Sequence, residues 1–167
     1  MYLKTEGVDF RKIFIDELIK LAEKDDKIVF ITCDVGFSFL EPLKERLGDR
    51  YKNFGVTEQS SMIIAAAMAL SGLKPYIYSM INFMVFRPYE MVRNAVCYHN
   101  ANVKILGVKG SDKYKFLGFS HNIVEDEDVH ALQKMPNMNI YIPKTEEEVK
   151  TALLESYEHK KPTYIRL

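Results

Sequence analysis

The segment NFGVTEQSSMIIAAAMALSGLKPYIYSM, residues 53–80, contains a helix pattern that leads directly into a strand pattern. Thr57 is a residue type that often caps the start of a helix, and Gly72 is the type that most often ends one. The apolar residues between them predict a helix, and the aromatic-rich run KPYIYSM predicts a buried strand after it. A helix joined at once to a strand is typical of α/β proteins, so this segment indicates the fold class.

The same alternation continues on both sides of this segment. Helical patterns separate five further runs that predict strands, namely IVFIT (28–32), YKNFGV (51–56), NVKILGV (102–108), NIYI (139–142) and PTYIRL (162–167). We therefore predict a single α/β domain over residues 1–167, with a mainly parallel sheet that helices cover on both faces.

Composition excludes several classes of function. The 167 residues carry 23 basic and 23 acidic side chains, so no basic stripe is available to bind a nucleic acid. The first ten residues contain no apolar signal core, and the apolar run 62–70 is too short to span a membrane. Cys33 and Cys97 are far apart in apolar stretches, which is typical of reduced thiols in a cytoplasmic protein.

Four polar residues lie in the loops that follow predicted strands: Asp34, Glu58, Asn82 and His121. Ligands of parallel sheets bind at this edge, and the longest predicted loop, residues 109–122, also lies there. The chain has no glycine-rich phosphate motif and no Cys and His cluster with metal-ligand spacing. We therefore predict no metal site in this chain, and we expect it not to hold the phosphates of a cofactor by itself.

Glu58 is predicted in the first turn of a helix that is otherwise almost uncharged. The run SSMIIAAAMALSG after it is apolar on every side, which favours burial against another subunit. A carboxylate beside such an interface loses water and therefore needs a partner.

The stretch FGVTEQSSMIIAAAMALSGLKPYIYSMINFMVFRPYEMVRN resembles the pyrimidine-binding domain of the transketolase family of thiamine-diphosphate enzymes. The resemblance extends in order from FRKIFIDEL through CDVGFS, VTEQ, SMINF, GFSHNIVEDE and MPNMNIYIPKTEEEV to PTYIRL, which is essentially the whole chain. It implies the thiamine-diphosphate-binding fold.

The resemblance implies a partner for Glu58. In the family, the matching glutamate bonds the N1′ nitrogen of the cofactor's aminopyrimidine ring and favours the tautomer that activates the thiazolium carbon. That chemistry belongs to the cofactor, and the protein supplies placement and proton affinity. Glu58 is thus implied to be both catalytic and cofactor-binding.

The resemblance also implies further cofactor-binding residues. Phe83 and Phe86 match aromatic positions that pack on the pyrimidine ring, and Met80 stands where phenylalanine is usual, although a thioether can still pack on a ring face. We expect Asp34, in the loop after the first strand, to be cofactor-binding as well. His121 of GFSH matches a histidine that faces the reacting carbon and substrate oxygens, so it is implied to be catalytic and substrate-binding.

The substrate site is expected to differ from that of ordinary transketolases. Arg11 and Ser38 match residues that contact the substrate phosphate, for which a guanidinium is well suited. Lys109, however, stands where those enzymes carry a substrate-binding histidine, and Leu117 replaces an aspartate that contacts a substrate hydroxyl. The resemblance therefore implies a sugar-like substrate but not the usual ketose phosphates.

The chain matches only the pyrimidine domain, so the resemblance implies a separate subunit that holds the diphosphate and Mg²⁺, in an α₂β₂ heterotetramer. We expect transfer of a two-carbon ketol unit between sugars or sugar derivatives. Two alternatives remain open: a component of a two-subunit 2-oxo-acid decarboxylase or acyloin synthase, and a non-catalytic assembly scaffold or regulatory remnant. The combination of Glu58, Phe83 and His121 argues against the scaffold.

Overall fold

The computed structural model describes residues 8–110 and 112–167 of the chain. The first seven residues, where the sequence predicts no signal core, lie outside the described part. The strands are β1 (Ile28–Thr32), β2 (Tyr51–Asn53), β3 (Lys74–Met80), β4 (Lys104–Val108), β5 (Asn139–Tyr141) and β6 (Thr163–Arg166). The α-helices are α1 (Phe10–Ala22), α2 (Glu41–Leu47), α3 (Glu58–Leu70), α4 (Tyr89–Met91), α5 (Glu127–Leu132) and α6 (Glu146–Glu158).

The six strands form one sheet in the order β2-β1-β3-β4-β6-β5, and every neighbouring pair is parallel. The chain runs outward from β1 to β2 and then returns to β3 on the other side of β1. This reversal leaves a crevice at the carboxyl ends of β1 and β3, which is where ligands of such sheets bind. The predicted parallel α/β sheet is confirmed.

Apolar side chains cover both faces of the sheet. Helix α3 and the segment after β3 pack on one face, around Met62, Ala65 and Val96. Helices α1, α2 and α6 pack on the other face, around Phe14, Leu43 and Leu153. Because both faces are covered, β1 and β4 are buried along their whole length, which suits the apolar run of β1 and the apolar run that follows Lys104 in β4.

The helical region predicted at residues 85–100 begins earlier, at Asn82, and is largely π-helical. Residues Asn82–Phe86 and Val92–Tyr98 are π-helical and flank the short α4. Pro88 has no N–H and cannot follow an α-helical turn without clashing with the carbonyl four residues before it, so the turn widens. The amide of Arg87 accordingly bonds the carbonyl of Asn82, five residues earlier, at 3.3 Å.

The longest predicted loop forms two short 3₁₀ segments within Asp112–Ser120, with a break at Gly118. Gly118 has φ of 59°, a left-handed conformation that glycine adopts without strain.

Across residues 8–110 and 112–167, none of the helices has the length and apolar character needed to cross a membrane.

Candidate functional site

Glu58 is a buried carboxylate at the first position of α3, with only 5% of its side chain exposed. A sharp turn at Gly55, with φ of 69°, directs the chain from β2 into this helix. Thr57 lies at the N-cap position as predicted, but its side chain accepts no hydrogen bond from the first turn of the helix. Its hydroxyl instead donates to the carbonyl of Phe54 at 2.9 Å and contacts the Ser61 hydroxyl at 3.1 Å. The helix start is therefore open to other hydrogen-bond partners.

Arg87 is the ionic partner of Glu58 in this structure. Its Nη1 donates to Glu58 Oε1 at 2.7 Å, and the guanidinium lies over the ring of Phe83, 3.7 Å from the ring centroid. The arginine side chain is 45% exposed, so the pair joins a buried anion to a cation at the protein surface. The buried charge of Glu58 is thereby compensated.

A cavity of about 520 Å³ lies beside this pair. The segment after β3 contributes most of one wall, and the end of the 3₁₀ segments and the region leading into α5 contribute the other. Its lining residues are Asn82, Phe83, Phe86, Arg87, Phe119, Ser120, Val124 and Glu127. The cavity thus combines aromatic faces with a few polar groups, which is the usual composition of a small-molecule site.

His121 contacts this aromatic wall. Its ring is in edge contact with Phe83, with ring centroids 5.1 Å apart, and stacks on Tyr114 at 6.1 Å. The hydroxyl of Ser120 donates to the carbonyl of Leu117 at 2.8 Å and lies 2.7 Å from His121 Nδ1. With the hydroxyl proton directed at Leu117, the neutral tautomer that satisfies both contacts carries its proton on Nδ1 and keeps Nε2 as an acceptor.

Asn82 holds the two walls of the cavity together. Its side-chain amide donates to the carbonyl of Phe119 at 2.8 Å and to the carbonyl of Asn122 at 3.2 Å. These bonds tie the loop that carries His121 to the π-helical turn that carries Phe83. The predicted residues Glu58, Phe83 and His121 are therefore brought into one cluster, with Phe86 on the same cavity wall.

The carboxyl end of β1 adjoins this cluster. Asp34 has φ of 56° and exchanges two hydrogen bonds with the side chain of Asn53. The neighbouring Cys33 thiol is buried, and burial, together with the charge of Glu58, raises its pKa above the ordinary value. Asp34 thus lies at the edge of the crevice, and its carboxylate is exposed there.

Two of the predicted substrate-binding residues, Arg11 and Ser38, lie on the side of β1 opposite to α3. Arg11 forms two hydrogen bonds with Asp9, at 2.9 and 2.7 Å, and packs over Phe39. This guanidinium lowers the pKa of the Asp9 carboxyl. The backbone of Ser38, with φ of 61°, donates to Glu41 at 2.6 Å. Arg11 therefore already has a carboxylate partner, which an incoming anion would have to displace.

Met80 ends β3, pairs in register with Val108 and is half-buried. It therefore lies at the carboxyl edge of the sheet, two residues before the π-helical turn that lines the cavity. No group of three or more His, Cys, Asp or Glu side chains in the described residues is arranged to hold a metal ion.

One face of α3 is exposed and apolar. Its members recur at helical spacing and comprise Ser60, Ile63, Ile64, Ala67 and Leu70, of which Ile63 is 47% and Leu70 is 60% exposed. The opposite face of the same helix packs on the sheet through Met62 and Ala66. The expectation that this helix is buried all round is therefore met on one side only within the single chain.

Sequence reasoning missed Arg87, Asn53 and Tyr114. Arg87 follows Phe83 by four residues, but Phe83 lies before the helix predicted over residues 85–100, so the sequence did not indicate that the two side chains share one face. Asn53 and Tyr114 carried no signal either. Their roles depend on where a strand end and a loop without periodicity meet other elements.

Residues 6–167 match the family model described as transketolase, pyrimidine binding domain. The chain is 33% identical over 158 residues to one subunit of the apulose-4-phosphate transketolase of Phocaeicola vulgatus, a match that covers 94% of this chain and 50% of that protein. It is 29% identical to a 6-deoxy-6-sulfo-D-fructose transketolase subunit from a Clostridium species, covering 99% of this chain and 51% of the relative.

A solved structure described as a split gene transketolase, inactive beta4 tetramer, is 28% identical to this chain. It superposes with a TM-score of 0.85 over 96% of this chain and 51% of its own. The chain thus spans about half the length of these relatives.

Proposed function

Because the chain belongs to the transketolase pyrimidine-binding domain family, we propose that it is one subunit of a split, transketolase-like transferase. In this proposal it binds the aminopyrimidine ring of thiamine diphosphate and takes part in the transfer of a two-carbon ketol unit between sugars or sugar derivatives. Two relatives are named as transketolase subunits, which supports the assignment to a multi-subunit enzyme.

The observation that carries this proposal is the buried Glu58 carboxylate beside the face of Phe83. A planar group, the Arg87 guanidinium, already lies on that face and donates an N–H to Glu58. A protonated ring nitrogen of an aminopyrimidine has the same two requirements, an aromatic face and an anionic acceptor at its edge. The residues present therefore fit this ring.

Each residue of the cluster has a distinct task in this mechanism. Glu58 holds a proton between its carboxylate and the ring nitrogen, and burial keeps water from competing for that proton. Phe83 and Phe86 fix the plane of the ring, with Met80 and Asp34 at the crevice edge. When bound, thiamine diphosphate supplies the nucleophilic carbon that accepts and passes on the two-carbon unit.

His121 is proposed to act on the substrate. Its Nε2 faces away from the Ser120 hydroxyl and is an acceptor in the neutral ring, so it can take a proton from a substrate hydroxyl and return it. Its edge contact with Phe83, with ring centroids 5.1 Å apart, supports this role. Arg11 and Ser38 are proposed to contact a charged end of the substrate.

A partner subunit is proposed to hold the diphosphate and Mg²⁺. The exposed apolar face of α3, defined above by Ser60, Ile63, Ile64, Ala67 and Leu70, begins two residues after Glu58, so a partner that covers it would also close the site. An α₂β₂ heterotetramer would bury this face in both copies. We assign the enzyme to the cytoplasm, where its two buried, unpaired cysteines would stay reduced.

Reconstitution with a diphosphate-binding subunit from the same organism tests the proposal. We expect ketol transfer from a ketose donor to an aldose acceptor, and no product from a 2-oxo acid alone. Glu58→Gln keeps the shape of the side chain but removes its charge, and should lower kcat by roughly 10²–10⁴. Glu146→Gln, in the first turn of α6, is the matched control and should leave kcat unchanged. Full turnover by a Glu58→Gln complex would refute the mechanism.

A further inference from the structure

We infer that the Arg87 guanidinium occupies the position of the aminopyrimidine ring in the free chain. The ring then binds only when it displaces this guanidinium from Phe83 and Glu58. The inference rests on the proposed function and deepens it, because it names a residue of this chain that sets how tightly the ring is held. It starts from two contacts of one side chain: Nη1 to Glu58 Oε1 at 2.7 Å, and the guanidinium to the Phe83 centroid at 3.7 Å.

The two planar groups compete for the same place. A guanidinium is flat, donates N–H bonds from its edge and stacks on aromatic rings, which are the properties of a protonated heterocycle. At 3.7 Å the guanidinium is in van der Waals contact with the ring of Phe83, and no gap remains for another ring between them. Ring binding and the observed position of Arg87 therefore exclude each other.

The burial of the two partners differs in a way that allows exchange. Arg87 is 45% exposed and borders the open cavity, so its charged end regains water when it moves away. Glu58 is 5% exposed and cannot do so. The buried carboxylate needs a hydrogen-bond donor both before and after the ring binds. Arg87 supplies that donor in the free chain, and the ring supplies it when bound.

The backbone of Arg87 stays in place during this exchange. Its carbonyl accepts a hydrogen bond from the side chain of Gln59 at 3.1 Å, and its amide bonds Asn82. Rotation of the side chain alone therefore opens the face of Phe83. Because the chain must first leave its closed arrangement, the apparent affinity for the ring is lower than that of the open site.

The test uses the full chain and the isolated hydroxymethyl aminopyrimidine of thiamine as the probe, with binding measured by NMR titration. Arg87→Gln removes the cation and the stacking group, and should bind the probe about tenfold more tightly than the natural chain. Arg93→Gln is the matched control. Arg93 also lies over an aromatic ring, that of Tyr98 at 4.8 Å, but on the exposed surface away from the cavity, so this variant should bind like the natural chain.

A second readout follows the arginine itself. The side-chain N–H signals of Arg87 should be shifted upfield by the ring of Phe83, and saturation with the probe should move them to the position of a solvated arginine. Binding of the probe by the natural chain without this movement, or with no tightening in Arg87→Gln, would overturn the inference and leave the proposed function standing. Failure of the Arg87→Gln chain to bind the probe would also overturn the inference, because an emptied ring site should then accept it, whereas the proposed function is tested separately by reconstitution with the diphosphate-binding subunit.

Discussion

Replacement of Asp128 by alanine should strongly destabilise the chain. Asp128 in α5 is fully buried and accepts a hydrogen bond from the Tyr164 hydroxyl at 2.5 Å. It also accepts two bonds from Arg166, at 3.1 and 2.9 Å. Asp128→Ala would leave a largely buried guanidinium and a buried hydroxyl without this acceptor. Breaking such a buried pair typically costs about 3–5 kcal/mol of unfolding free energy.

The same arginine provides an internal control. Its Nη1 also pairs with Asp126 at 2.8 Å, but that carboxylate is 60% exposed. Water screens this second pair, so Asp126→Ala should change the unfolding free energy far less. Each variant removes one carboxylate partner of the same arginine, and the two carboxylates differ mainly in how deeply they are buried.

Urea unfolding followed by circular dichroism is the appropriate assay, because the chain contains no tryptophan. For a chain of this size, a loss of about 3–5 kcal/mol corresponds to a fall in melting temperature of roughly 6–20 °C. Tyr164→Phe should cost less than Asp128→Ala, since the carboxylate keeps its two bonds to Arg166. Equal effects of Asp128→Ala and Asp126→Ala would refute the argument that burial sets the cost.

Three further predictions concern other parts of the chain. Ile64→Glu, on the exposed apolar face of α3, should leave the stability of the isolated chain nearly unchanged but abolish its complex with the partner in size-exclusion chromatography. Leu154→Glu, on the exposed side of α6, is the control and should leave the complex intact. Burial lowers the pKa of Lys104 to about 7, so above that pH the unfolded chain binds more protons than the folded chain. The unfolding free energy should therefore rise between about pH 7 and 8.5, by up to about 1.4 kcal/mol per pH unit, and Lys104→Met should remove this rise in urea titrations. Above that range the buried thiols of Cys33 and Cys97, whose pKa values burial raises, oppose the rise. Gly107→Ala would put a Cβ 2.7 Å from the Tyr164 ring and should cost about 1–3 kcal/mol in the same assay, and an unchanged midpoint would contradict it.

Much of the fold could be predicted from the sequence because both faces of the sheet are buried. The runs IVFIT and KPYIYSM coincide with β1 and β3 to the residue, since strands covered on both faces need continuous apolar sequence. The winding of the segment after β3 was not predictable in the same way. The proline at position 88 signalled a disturbed helix, but not that the helix would start at Asn82 and widen into π-helical turns.

The candidate site was predictable where one residue carries the signal. Glu58 was identified because a single acidic residue opens an apolar helix, and it is buried as expected. The ionic partner of Glu58 was missed, since Arg87 contacts it across 29 positions of sequence and only the folded chain brings the two together. Local patterns report which residues need a partner, whereas tertiary packing decides which partner they find.

The most direct test of the central claim is calorimetric titration of thiamine diphosphate with Mg²⁺ into the chain alone and into its mixture with the diphosphate-binding subunit. We expect tight binding in the mixture only, and loss of that binding when the chain carries Glu58→Ala. A stable complex of the two subunits that binds no thiamine diphosphate would contradict it, as would a Glu58→Ala complex that binds as tightly as the natural one.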